Sequence, residues 1–474
     1  MTNFRTAKYM PDGTAIDDPN ELFALSQVQL SGVLAAAPQK YSIGLGLFGD
    51  SLTNAGFYTY NSGQVDNFER AWGWSTWVGP MSMQRIRVVK SWAVNTNGLL
   101  VAGTSPYEGN PLSVQVTAAL ASSKWASVTR AVICIGTNDS AYTIAACVAE
   151  LLTQIARIGK PVTLISPPAG SGTVTGVVGD SLAAWAWKMQ WRETLKRIAA
   201  ASNGWIMFVD AYGLANSPTT TPDVMQAGNY LPDGIHWNNV YSYKVADAFV
   251  SAHLPSGIAG DLDVWPNTGY AGSTNAATLD QGFGNPTFAT ASGGTGTGTI
   301  AGSMTAANVG AATHNGDSVG ATAMTGGLGN MQTLTITSNG DAQGITFECA
   351  SIHASGTRFL NAGDTAFGQC FLRIRSGGIY PKNIGLRLQG YDGTYNHTAY
   401  LFEPSGGAST AEGALPLTAT RTFLLRTPIL TAPTAAFTNL TLRLRPIFAA
   451  AGTCQIDVGN FEVRRFRSGG VYSL

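Results

Sequence analysis

The stretch YSIGLGLFGDSLTN, residues 41–54, decides how the chain is read. A short apolar run, Ile43 to Phe48, stops abruptly on Gly49-Asp50-Ser51. A run of that length closed by turn residues is the pattern of a buried strand. The break has two readings. Either it is an ordinary turn, since Gly, Asp and Ser are turn formers, or Ser51 is a nucleophile held at the tip of a buried strand. The tripeptide does not separate them, so the rest of the chain must.

From about residue 41 to 256, short apolar runs alternate with helical stretches. Strands are expected at Ile43–Phe48, Ala131–Ile135, Pro161–Ile165 and Trp205–Val209, and helices at Ser181–Ala201 and Asn239–His253. Such alternation implies a parallel sheet covered on both faces, with ligands beyond the carboxyl ends of its strands. After Leu254 the texture changes. Residues 257–284 read as a linker, and the low-complexity ATASGGTGTGTIAGS follows. TLTIT (333–337), FLRIR (371–375), IGLRLQ (384–389), LTLRLRP (440–446) and QIDVGNFEV (455–463) then alternate with period two. Residues 285–474 are therefore expected to form an all-β antiparallel sandwich, its outward Arg and Thr being ordinary solvent-facing positions. Residues 1–40, polar with one apolar patch, read as an arm or adaptor.

At 474 residues the chain exceeds one ordinary core. Lys and Arg total 28 and Asp and Glu 28, so no basic field favours nucleic acid or an anionic membrane. No apolar run approaches the ~18 residues of a membrane span. The first residues hold no apolar segment of the secretory type, while the uncharged, hydroxyl-rich composition is more usual outside cells. Cys134, Cys147, Cys349, Cys370 and Cys454 have no CxxC spacing and are expected as buried small apolar residues. His253, His314, His353 and His397 show no ligand spacing, and neither metal nor cofactor is expected.

Three further segments carry the chemistry. AVICIGTND (131–139) is a strand ending on Gly136-Thr137-Asn138-Asp139, NGLLVAGT (97–104) is punctuated by glycine, and LPDGIHWN (231–238) leads into a helix. With GDS, these four blocks in this order resemble the SGNH hydrolases, also called GDSL esterases and lipases, across roughly residues 43–253. The resemblance implies a three-layer α/β/α domain with a flavodoxin-like parallel sheet. It also implies a Ser51, His236, Asp233 triad and an oxyanion hole of Ser51, Gly103 and Asn138, with Gly98 an alternative to Gly103.

The chemistry suits those residue types. A serine hydroxyl needs a base within hydrogen-bond reach, which His236 supplies. Asp233, three residues before it, can accept the second imidazole N–H and fix the tautomer. An amide and backbone N–H groups can then stabilise the oxyanion. Each residue also has a plainer reading: Asn138 as a helix cap, Asp233-Gly234 as a turn, His236 as a surface residue. Asp50 and Asp139 are expected to be structural, and Asp210 ranks second as a histidine partner. Of the aromatics Phe57, Tyr58, Tyr60, Trp72, Trp74 and Trp77, packing is the favoured role, with Tyr58 and Tyr60 the exceptions that contact substrate.

NPTF (285–288), TFECASI and CQIDVGNFEVRRF give the second half a loose resemblance to jelly-roll carbohydrate-binding modules. An esterase so joined implies a glycan substrate such as an O-acetylated polysaccharide. The make-up also resembles phage tailspikes or tail fibres, which implies a virion or extracellular location and a homotrimer. The alternatives are a lipase or thioesterase on longer acyl esters, and a non-catalytic glycan-binding tail protein.

Overall fold

The four apolar runs that predicted a parallel sheet are four of its five strands; the fifth, Ile86–Ser91, was not expected from the sequence. The computed structural model describes residues 43–54, 56–61, 65–100, 111–168, 181–217, 224–226, 228–254, 304–308, 318–326, 329–340, 345–349, 360, 362–403, 412–432, 437 and 439–466. All lie within the unit Ser42–Leu474. In chain order the first half holds β1 (Ile43–Gly49), α1 (Ser51–Asn54), β2 (Phe57–Asn61), β3 (Val65–Glu69), α2 (Trp74–Met81), β4 (Ile86–Ser91) and α3 (Leu112–Leu120). It continues with β5 (Arg130–Cys134), α4 (Ile144–Ile158), β6 (Val162–Ile165), α5 (Leu182–Ala200), β7 (Ile206–Val209), α6 (Ala211–Ala215), the short β8 (Asn216–Ser217) and β9 (Val224–Met225), and α7 (Asn239–His253).

Strands β4, β1, β5, β6 and β7 form a parallel sheet in that order. This is the flavodoxin-like order, and the direction of winding reverses between β1 and β5. Alternate residues of these strands feed two cores. Leu45, Leu47, Val132 and Cys134 face α2 and α7, while Phe48, Ala131, Ile133 and Leu164 face α3, α4 and α5. That is the expected α/β/α layering. The helix starts are written locally: Thr143, Ser181 and Asn238 each cap a helix by accepting a backbone N–H.

The second half supplies β10 (Met304–Asn308), β11 (Ser318–Gly326), β12 (Gly329–Asn339), β13 (Ile345–Cys349), β14 (Thr365–Ile374), β15 (Asn383–Tyr391), β16 (Asn396–Leu401), β17 (Arg421–Arg426), β18 (Leu430–Thr431), β19 (Asn439–Ile447) and β20 (Ala451–Phe466). One sheet runs β11-β12-β20-β14-β17, with β18 on β14; the other runs β10-β13-β19-β15-β16-β3-β2. Their inner faces share a core that includes Leu334, Leu372 and Ile456 from one sheet and Phe347, Leu386 and Leu444 from the other.

The expected sandwich is present, with an addition: the β2–β3 hairpin joins it, β3 lying parallel to β16 while the other ladders of this sandwich are antiparallel. Segments 1–40 and 257–284 lie outside the described residues.

No break in packing separates the two halves. Trp77 of α2 stacks on Phe402 at 4.0 Å between centroids and meets Phe423 edge-on. Asn239, at the start of α7, donates to the carbonyls of Lys382 and Gly413 and accepts from the Gly413 N–H. Gln84 donates to the Leu424 carbonyl at 2.7 Å, and Arg421 pairs with Asp247. Truncating a fully buried aromatic such as Trp77 to Ala costs about 3–5 kcal/mol, so this seam is a principal stabiliser of both halves.

Candidate active site

Ser51 opens α1 directly beyond the carboxyl end of β1, and Asn138 lies beyond the carboxyl end of β5. The two strands are neighbours with Gly49 opposite Cys134, so both residues sit where the winding reverses, the usual ligand crevice of such sheets. Gly49 has a steric reason: an added Cβ would come within 2.3 Å of the Cys134 carbonyl oxygen. Gln115 of α3 fixes this strand end by accepting from the Gly49 N–H at 2.9 Å and donating to its carbonyl at 3.0 Å.

Asp50 is fully buried, and its Oδ1 accepts the Leu52 N–H at 2.9 Å. It caps the helix that carries Ser51, the structural role expected of it. Burial pushes its carboxyl up to about 6, against the opposing pull of the Leu52 N–H and the Thr137 hydroxyl. Asp139 adds to the rise and His236 opposes it. The imidazole and the residue preceding Ser51 therefore lie within electrostatic reach of one another.

Asn138 Nδ2 donates to the Asn97 carbonyl at 2.9 Å, which fixes the amide and leaves its second hydrogen for another acceptor. Asp139 is buried and accepts from the N–H groups of Leu99 (2.9 Å) and Leu100 (3.1 Å). An added Cβ on Gly98 would approach that carboxylate to 2.4 Å, so glycine allows the loop to close over it. Asp139 thus ties the Asn97–Leu100 segment to the Asn138 turn. Gly103 lies outside the described residues.

His236 and Asp233 belong to one pinned turn. The Leu231 N–H donates to the His236 carbonyl at 2.8 Å, Tyr230 and Trp237 form a bridge, and Asn238 then caps α7. Gly234 takes a φ of 70°, where glycine is favoured. Asp233 Oδ1 accepts the N–H groups of Ile235 and His236, each at 2.9 Å, and Oδ2 meets His236 Nδ1 at 2.7 Å.

Burial alone would raise the Asp233 pKa, but the bonds from His236 and Ile235 outweigh it and bring it down to about 2. His236 is raised by its bond to Asp233, against burial, with the charges of Asp233 and Asp50 assisting. The His236 and Asp233 side chains are 29% and 46% exposed, so solvent screens the pair and its main effect is to orient the ring. With Nδ1 engaged, Nε2 is the nitrogen left for proton transfer.

The second-ranked acid is occupied elsewhere. Asp210 pairs with Arg192, Nε to Oδ1 at 2.8 Å, and also accepts from Ser166 and the Gly213 N–H. Tyr58 and Tyr60 fall on β2, and their side chains lie outside the described residues; Trp74 and Trp77 are buried in α2. Among the described residues no group of His, Cys, Asp and Glu could hold a metal ion. Cys134, Cys147, Cys370 and Cys454 are free and buried. Asp139 was legible only as a structural residue; its grip on the glycine loop depends on a contact forty residues away in sequence that no local pattern announces.

No protein-family model and no curated protein matches the chain. Among solved structures it is similar to a putative arylesterase from Agrobacterium tumefaciens str. C58, with 18% identity and a TM-score of 0.31, over 44% of this chain and 97% of that one. It is similar to Est24, a carbohydrate acetylesterase from Sinorhizobium meliloti, with 17% identity and a TM-score of 0.31, over 44% and 97%. A catalytic mutant of Axe2, an acetylxylan esterase from Geobacillus stearothermophilus, shares 16% identity at a TM-score of 0.32, over 45% and 96%.

Proposed function

We propose that this chain is a serine ester hydrolase of the SGNH type that removes O-acetyl groups from a polysaccharide. The observation that carries the reading is the Asp233–His236 couple: an imidazole held by Nδ1 at 2.7 Å and electrostatically linked to Asp50, the residue before Ser51.

In this reading His236 Nε2 takes the Ser51 proton as Oγ attacks the ester carbonyl. Negative charge moves to the carbonyl oxygen, where the Ser51 N–H, the free hydrogen of the Asn138 amide and the Gly103 N–H receive it. Collapse expels the sugar hydroxyl, protonated by His236, and leaves acetyl on Ser51. Water, deprotonated by the same imidazole, then releases acetate and restores the serine. Asp233 holds the tautomer and stabilises the imidazolium throughout.

The carbohydrate part of the reading rests on the β-sandwich, which shares a continuous core with the α/β layers and can present a long substrate whose remote contacts position the reacting ester. The test is an acyl series of p-nitrophenyl esters with wild type and Ser51→Ala. Turnover greatest on acetate and abolished in the variant is expected. Activity rising toward octanoate would favour the lipase or thioesterase reading, and turnover that survives Ser51→Ala would overturn the serine mechanism.

A further inference from the structure

One row of residues is in register across all the strands of the seven-stranded sheet. Thr305, Glu348, Arg443, Arg387, Tyr400, Phe68 and Tyr58 are successive cross-strand partners. Their neighbours Phe347, Leu386, Leu442 and Leu444 are fully buried in the sandwich core, so alternation turns this row to the opposite, outer face.

Arg387 stands directly across from Arg443, and Arg445 is two residues further along the same strand face. Like charges placed opposite one another in a ladder are destabilising, and Glu348 offsets them only in part. The one acid in the row, Glu348, is bound to Arg443 at 2.5 Å. Among the described residues the Nε of each of the half-buried Arg387 and Arg445 is enclosed without a hydrogen-bond partner, and Glu348 is the carboxylate that acts on Arg387.

The hydroxyl of Tyr400, 4% exposed, is enclosed beside the Arg445 and Arg387 guanidiniums. Its ring lies over Gly385, where an added Cβ would come within 2.7 Å of it. Burial and the Arg443 and Arg445 charges hold the Arg387 guanidinium below its ordinary pKa. Since the whole chain balances 28 basic against 28 acidic residues, this excess is local. Against the expectation of ordinary solvent-facing positions, Arg387, Arg443 and Arg445 are half-buried.

We infer that this outer face, centred on Arg387, Arg445 and Tyr400, binds a carboxylate-bearing saccharide segment. A planar guanidinium fork matches a carboxylate, and three guanidiniums on this face against the one carboxylate of Glu348 in the row supply the charge. The adjoining row on the same face is Thr441, Gln389 and Thr398, amide and hydroxyl groups suited to sugar hydroxyls rather than to a bare inorganic anion, and it continues to Asp66 on β3. The four strands β19, β15, β16 and β3 span about 14 Å at ordinary strand spacing, room for a few sugar rings. The row ends on β2, the strand that follows the Ser51 helix. The inference deepens the polysaccharide reading above by naming the substrate's charge.

Binding is measured by calorimetry on the full chain with trigalacturonic acid and sialyllactose as probes and maltotriose as the neutral control. None of these probes carries an O-acetyl ester, so the result is independent of turnover. Expected are binding of at least one acidic probe and none of maltotriose, with affinity falling as salt rises. Arg387→Gln combined with Arg445→Gln should weaken that binding about tenfold or more. The same substitutions should hold or raise the Tm without ligand, because they relieve like-charge repulsion, whereas a purely structural role would lower it. No binding of either acidic probe, equal binding of maltotriose, or binding untouched by the double substitution would overturn the inference. So would inorganic phosphate binding where the acidic saccharides do not.

Discussion

Two aspartate–histidine pairs in this molecule are built alike and placed differently. Asp233 Oδ1 accepts two successive backbone N–H groups while Oδ2 meets His236 at 2.7 Å. Asp392 Oδ1 accepts from Thr394 and Tyr395 at 2.8 and 2.7 Å while Oδ2 meets His397 at 2.8 Å. Both carboxyls are lowered to about 2, Asp392 first by the Tyr395 N–H and Asp233 by bonds that overcome its burial. The difference lies in the ring nitrogen and its surroundings. His397 uses Nε2 and is buried at 2% exposure near Phe437, closing the turn between β15 and β16. His236 uses Nδ1, keeps Nε2 for another partner, and feels the charge of Asp50, the residue before Ser51. An acid–histidine bond is thus not a signature of catalysis; the orientation of the ring and what it faces decide.

The largest expected effect separates the two pairs outright. His236→Ala should lower kcat for p-nitrophenyl acetate by on the order of 10⁴-fold. His397→Ala should leave kcat unchanged and reduce the Tm instead. Equal losses of activity in both would erase the distinction.

Asp233→Asn should reduce kcat by about 10³-fold through loss of tautomer control. It should also move the acidic limb of the pH profile. The base works only when neutral, and Asp233 raises the His236 pKa, so kcat/KM in the wild type rises through a value above the ordinary ~6.5 of imidazole. Residual activity in the variant should rise at lower pH; an unmoved limb would mean that another group titrates.

Asn138→Ala should cost about 10²-fold in kcat with little change in KM, as expected of a donor engaged mainly in the transition state. The smallest effect belongs to the structural pair. A carboxyl lowered to about 2 stabilises the fold above its unfolded value near ~3.9 and loses that contribution as pH falls toward 2. Asp392→Asn should therefore lower the Tm at pH 7 and have almost no effect near pH 2, measured by thermal melts at both.

Much of this was legible in the sequence because it is local. Runs such as Ala131–Cys134 are wholly apolar, and Val162–Ile165 apolar but for Thr163, since both faces of the parallel sheet are covered, and Asp233 and His236 share one turn. The alternation in IGLRLQ and LTLRLRP marked β15 and β19 for the same reason. The illegible part is non-local. The β2–β3 hairpin joins β16 more than three hundred residues later, so Phe57 reads as packing near the Ser51 loop, and Tyr58 and Tyr60 as substrate contacts, rather than as a sheet edge. The pairing of Arg387 with Arg443 is equally invisible, because register between distant strands is set by the core face and the turns, not by the arginines.

The central claim is that Ser51 is acylated by the substrate. Acid-quenching the protein seconds after mixing with p-nitrophenyl acetate, followed by peptide mass spectrometry, tests it directly. The account predicts one added acetyl group on the peptide that contains Ser51, trapped in greater yield in Asp233→Asn if deacylation slows more than acylation, and absent in Ser51→Ala. Rapid turnover by the wild type with acetyl on a different residue, or an acetyl adduct unchanged in Ser51→Ala, would contradict it.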